Sequence, residues 1–228
     1  MEKWKEIWNK EDRINKIILD SLIKADGFDT GAGSFNVDSW IQYTESLYER
    51  LSIQKQHSVF DVGCGSGAFL YPLHIRSNKV GGVDYSYALI KLAKNIFGGK
   101  NFDNDDAMNI DVSTQFDVVV AHSVFHYFKD LEYSELVIQK MLKKSASKVA
   151  IFDINDEEKK DKYHQVRMGK LSKVEYKQKY EGLDHLFYTK DWFIQVANKL
   201  NVSIEIFDQS YEGYANSSLR FNVIMEHK

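Results

Sequence analysis

Cysteine and proline are all but missing from this sequence, with one residue of each among 228. A single cysteine, Cys64, excludes an intrachain disulfide and fits a reducing compartment. No run of 18 apolar residues exists, so no transmembrane helix and no membrane partner are expected. The N-terminal residues are too charged for a secretory signal, and a cytoplasmic location is the expectation. Charge of one sign is also lacking. A net charge of −3 gives no basis for nonspecific nucleic-acid binding. The basic runs Lys140 to Lys144 and Lys170 to Lys179 read as solvated helix faces. What is left is the composition of a globular protein, 43% hydrophobic and 28% charged, long enough for a full core.

Taken in order, residues 1–50 have helical spacing. Trp4, Ile7 and Trp8, then Ile14, Ile17, Ile18 and Leu22 recur on one face. A break with three glycines runs from Asp26 to Ser34 and suits a mobile lid. A second helix is predicted from Val37 to Leu51, capped by Asn36 or Asp38. From residue 58 strands and helices alternate. Strands are predicted at Ser58–Val62, Val80–Asp84, Lys100–Phe102, Phe116–Ala121 and Val149–Ile154. Helices are predicted at Gly67–Ile75, kinked by Pro72 in its second turn, and at Tyr87–Phe97 and Tyr133–Leu142. This alternation implies a parallel sheet with right-handed crossovers. The charged segment 155–182 carries one helix or more. A helix at Asp191–Leu200 follows, then strands at Ser203–Phe207 and Arg220–Met225, whose link Asp208–Leu219 has no helical repeat and makes a hairpin-like, antiparallel pair the natural reading.

The sharpest signal is Val59-Phe60-Asp61-Val62-Gly63-Cys64-Gly65-Ser66-Gly67-Ala68, a buried strand running into a glycine-rich turn and a helix start capped by Ser66. Free N–H groups there describe a nucleotide-type cofactor site. Gly63-x-Gly65-x-x-Ala68 also fits a dinucleotide fingerprint. Asp61 decides against that: a carboxylate two residues before Gly63 suits a cationic amino group, not a pyrophosphate. Asp84, ending the second strand, can accept hydrogen bonds from both ribose hydroxyls. Asp105-Asp106-Ala107 follows the third strand, where a carboxylate can meet an adenine amine, and the spacing favours Asp106.

These residues resemble the class I S-adenosylmethionine-dependent methyltransferases of small-molecule type. Val59 to Gly67 looks like the family's first motif, Gly82-Val83-Asp84-Tyr85-Ser86 its second, and Phe116 to His122 its fourth. The resemblance implies a Rossmann-like α/β fold with a seven-stranded sheet of order 3-2-1-4-5-7-6, strand 7 antiparallel. It implies S-adenosylmethionine as cofactor and S-adenosylhomocysteine as product. The methionyl part would lie over Asp61 and Gly63, the ribose on Asp84, and the adenine between Tyr85, Ala107 and Met108. Cys64, Gly65, Gly67, Ser86, Asp106 and His122 complete the expected binding set. The chain then divides as one domain: a helical cover over 1–55, a cofactor core over 56–154, an acceptor-side helical insertion over 155–200 and closing strands over 201–228. A homodimer is compatible with it.

His126 and His122 flank the end of the fourth strand, where the donor methyl should point, and are the candidate catalytic residues. His126 is the first choice as base or acceptor-orienting group. Packing against the methionine end is its other reading. Tyr127, Asp153, Tyr163 and His164 are further pocket candidates. The two histidines are four apart, but no third ligand accompanies them, and no metal is expected. The expected reaction is methyl transfer to a small polar acceptor, at oxygen, such as an activated sugar or other phosphorylated intermediate. N-methylation of a small molecule, a nicotinamide-dependent oxidoreductase and an inactive binding subunit are the alternatives.

Overall fold

The computed structural model describes residues 14–28, 36–169, 184–211 and 213–228, with Leu171, Ser172, Val174, Glu175 and Gln178. Trp4, Ile7, Trp8, the stretch Gly31 to Ser34 and most of the 170–183 segment lie outside the described residues. Helices α1 (Lys16–Ala25) and α2 (Val37–Arg50) come first. Asn15 and Asn36 start them, each side chain accepting N–H bonds from the first turn. The alternating part then runs β1 (Val59–Val62), α3 (Tyr71–Ile75), β2 (Val80–Asp84), α4 (Tyr87–Phe97), β3 (Phe102–Asn104), β4 (Phe116–His122), α5 (Leu131–Lys144) and β5 (Ser145–Asn155). Then follow α6 (Lys160–Met168), α7 (Lys190–Leu200), β6 (Val202–Asp208) and β7 (Arg220–His227).

The strands form one sheet in the order β3-β2-β1-β4-β5-β7-β6. β1 to β5 are parallel, and β7 runs antiparallel to both β5 and β6. Period-two alternation explains how one strand serves two cores. Val118 and Val120 of β4 join a cluster with α1 to α4, whereas Val119 and Ala121 join one with α5 and α7. Both faces are covered, so the central strands are apolar throughout.

Three expectations need correction. The helix after the glycine turn begins at Tyr71, not Gly67. Gly67 has φ +92°, which no helix accepts, and Pro72 falls in the first turn, where its missing N–H costs nothing. Ser66 is therefore no cap, and its hydroxyl donates to the Leu22 carbonyl at 3.2 Å. β3 lies at 102–104 instead of 100–102. Lys144 is buried, not solvated. Its Nζ donates to the Asp111 and Thr114 carbonyls at 2.6 and 3.0 Å and lies over the Phe60 ring.

Candidate functional site

The parallel strands all end on one edge of the sheet, and the glycine turn crosses it. Gly63, Gly65 and Gly67 have φ of +74°, +54° and +92°, conformations an L side chain resists. The Gly63 and Cys64 N–H groups donate to Val83 O at 2.7 and 3.0 Å, which hangs the turn on the end of β2. Asp84 completes the tie. Its Oδ2 accepts from Gly65 N–H at 2.9 Å and its Oδ1 from Ser86 N–H at 2.8 Å.

Asp26, which caps the C-terminus of α1, reaches the same turn. Its Oδ1 accepts from Ser66 N–H at 2.6 Å and its Oδ2 from Ala68 N–H at 3.3 Å. A Cβ on Gly65 would lie 2.5 Å from Asp26 Oδ1, so Gly65 is bare because a carboxylate occupies that space. The N–H groups that would cradle a phosphate are thus filled by the protein's own anions, and an incoming phosphate would meet like charge.

The turn walls a cavity of about 290 Å³ lined by Asp26, Asp61, Gly63, Asp84 and His122, among others. Asp61 is buried at its floor, and its Oδ1 has no hydrogen-bond partner. Burial first, then the charges of Asp26 and Asp84, push its carboxyl well above the ordinary range. Burial likewise raises Asp26 to about 6. A buried carboxyl with one unpartnered oxygen beside two others calls for a cation.

An adjoining trough of about 250 Å³ shares Gly63, Asp84, Tyr85, Val124 and Tyr127 with the cavity and continues to Asp106, Ala107 and Tyr133. Asp106 accepts from Met108 N–H at 2.8 Å and from the Tyr133 hydroxyl. Cavity and trough together bring Asp61, Gly63, Cys64, Gly65, Asp84, Tyr85, Ser86, Asp106, Ala107 and His122 to one continuous edge. Gly67 lines neither, and a Cβ there would strike the Phe97 ring. Met108 packs against the core beneath the trough.

The two candidate histidines part company. His122 ends β4 against the cavity. Its ring stacks on Phe69 at 5.0 Å with Phe28 and Trp40 around it, and its Nε2 lies 3.1 Å from the Tyr43 hydroxyl. Burial holds its pKa down at about 4, so the imidazole is neutral at neutral pH. His126, in a 3₁₀ turn over Phe125–Tyr127, lies behind, buried between Tyr127, His185 and Arg220. It lines neither the cavity nor the trough.

Behind His122 stands a buried polar network centred on Asp153. A bulge in β5 against β7 puts this residue at φ +61°. Its carboxylate accepts from Ser123 Oγ at 2.8 Å and Gln209 Nε2 at 3.0 Å, and lies 3.7 Å from Arg220 Nε. Burial alone would raise its pKa; Arg220, the two histidines and Ser123 outweigh burial and bring it to about 2. Sequence reasoning missed Asp26 and Arg220. Asp26 carried one usable signal, an acid before Gly27 at a helix end; Arg220 carried none.

Three comparisons bear on this site. The sequence model of a family described as a methyltransferase domain matches residues 53–197. Malonyl-[acyl-carrier protein] O-methyltransferase 1 of Ilyobacter polytropus is 26% identical over 123 residues, 50% of this chain and 45% of that protein. The chain spans about half the length of the curated relatives it matches. Among solved structures, magnesium protoporphyrin IX methyltransferase from Synechocystis PCC 6803, with bound S-adenosylmethionine, superposes with a TM-score of 0.60 at 15% identity, covering 93% of this chain and 97% of that one. An S-adenosylmethionine-dependent methyltransferase from Clostridium acetobutylicum gives 0.62 at 15% identity, over 92% and 96%. At such identities these two likenesses speak for the fold.

Proposed function

The chain belongs to the methyltransferase-domain family, and on that footing we propose that it moves a methyl group from S-adenosylmethionine to an oxygen of a small polar acceptor. The observation that carries this reading is Asp61, a buried carboxyl with one unpartnered oxygen at the floor of a cavity whose glycine-turn N–H groups are already spent. Such a site suits the ammonium of an amino-acid end and disfavours a pyrophosphate, which sets the nicotinamide alternative aside.

The residues present fit this cofactor. Asp61 and the turn from Gly63 to Gly65 would hold the methionyl end. Asp84 would take the ribose hydroxyls. It already accepts two backbone N–H bonds, and a carboxylate has roughly four acceptor sites. Tyr85, Asp106 and Ala107 would bracket the adenine along the trough, with Met108 beneath. When bound, S-adenosylmethionine supplies a methyl carbon already activated by a positive sulfur.

What remains for the chain is positioning, which at its upper limit contributes roughly 7–11 kcal/mol. His122, on the cavity wall and neutral, orients the acceptor or receives its proton, with Tyr43 fixing the ring. His126 lies behind, 3.5 Å from Arg220 Nη1. The cover formed by α1 and α2 excludes water. A relative named for O-methylation favours oxygen. The Lys-, His- and Tyr-rich segment after β5 suits a polar or phosphorylated acceptor, such as an activated sugar.

Calorimetry with S-adenosylhomocysteine tests the reading. The wild-type chain should bind it, and Asp84→Ala should weaken binding about tenfold or more, the loss expected for a bidentate hydroxyl contact. Unchanged affinity, or binding of NAD in its place, would overturn it.

A further inference from the structure

Asp61 and Asp84 belong to the motifs read from the sequence; Asp26 does not. It arrives from α1, outside the alternating core, and lines the same cavity. Three carboxyl groups therefore face one small cavity, and the buried Asp61 Oδ1 in it has no partner. Lys24, the cation on the same turn of α1, pairs with Asp20 at 2.7 Å.

We propose that Asp26 sets the charge preference of the cofactor site, favouring a donor with a positive sulfur over a product whose sulfur is neutral. This rests on the cofactor assigned above. S-adenosylmethionine carries a sulfonium charge, and S-adenosylhomocysteine, otherwise of the same shape, lacks it. Asp61 and Asp84 are placed to read the ammonium and the ribose, which both ligands share. Asp26 adds a charge beyond what those shared groups need. Burial makes that charge costly at neutral pH, and a positive centre in the cavity offsets the cost. The neutral product offsets it less. In this way the site holds the donor and releases what is left after transfer. Asp26 acts as a specificity-determining residue that also docks α1 on the glycine turn.

Calorimetry on the full chain separates the two roles. S-adenosylmethionine, S-adenosylhomocysteine and sinefungin, which bears a protonated amine in place of the sulfonium methyl, are titrated into wild type and Asp26→Asn at neutral pH. The variant should lose roughly tenfold in affinity for the two cationic ligands and less than about twofold for S-adenosylhomocysteine, a tenfold change being one pKa unit of electrostatic coupling. Asp26→Ser, uncharged and with a shorter side chain, should give the same ratio, and a thermal melt of each variant shows that it is folded. Equal losses for all three ligands would make Asp26 a structural clasp and overturn the proposal, as would no loss. If wild type binds none of them, the cofactor reading itself fails, a result distinct from an unchanged ratio.

Discussion

The Tyr43 hydroxyl meets His122 Nε2 at 3.1 Å, a contact between α2 of the cover and the end of β4. One ring nitrogen of the only cavity-lining histidine among the described residues is thus engaged by the element that closes over the site. Tyr43→Phe removes that hydrogen bond and leaves only packing against Phe69, Phe28 and Trp40 to fix the ring. The expected result is a fall in kcat of roughly tenfold or more, with S-adenosylhomocysteine affinity held within about twofold. Because burial holds His122 down at about 4, kcat should show no histidine inflection near its ordinary value of 6.5. A pH profile of kcat checks both.

Stability should depend on pH through Asp26 with an unusual sign. Its folded pKa of about 6 lies above the ordinary 3.8, so the folded chain binds the extra proton. The stabilisation is full below 3.8 and lost as pH rises through 6, up to about 3 kcal/mol in all. His122 and His185, both held near 4, act oppositely, losing stability as pH falls from 6.5 toward 4. Urea melts of wild type and Asp26→Asn across this range, taken as a difference, isolate the Asp26 part. A flat difference would be the wrong answer.

Asp61→Asn should trade stability for binding. It removes a buried carboxyl with one unpartnered oxygen from beside two others, so the ligand-free chain should melt no lower than wild type at neutral pH. S-adenosylmethionine affinity should fall about tenfold or more, as expected for a lost charge-assisted contact. Thermal melts and calorimetry on one preparation test the pair of outcomes.

Arg220→Met leaves Asp153 buried beside no cation and should cost roughly 3–5 kcal/mol, the usual result of removing one partner of a buried pair. Adding Asp153→Asn should recover much of it. The strongly non-additive cycle, read from denaturant melts, is the mark of a direct pair.

The central strands were legible because they are short apolar runs buried on both faces; β2 and α4 were placed to the residue. The start of α3 was not, because Ser66 and Gly67 look like a cap and a first turn until the positive φ of Gly67 is known. Lys144 reads as one more surface lysine; only the fold shows its stem lying on Phe60 and Phe116, with two carbonyls at its tip. Most residues that line the cavity and trough could be grouped from the sequence, since they sit in short local motifs. The charge behind them could not. Asp26 meets the turn 40 residues away and Arg220 meets Asp153 across 67, distances over which no spacing rule operates.

Cys64 sits inside the glycine turn, 4% exposed, with its thiol pushed up by burial and by Asp61, Asp84 and Asp26. A Cβ on Gly82 would lie 2.6 Å from its sulfur, so β2 closes one side of the thiol and the cavity lies on another. It is also the one thiol in the chain. Its alkylation in native buffer is therefore a clock for the opening of the glycine turn. Each modified molecule records one excursion, and the factor by which S-adenosylmethionine slows the clock gives the free energy that couples ligand to turn.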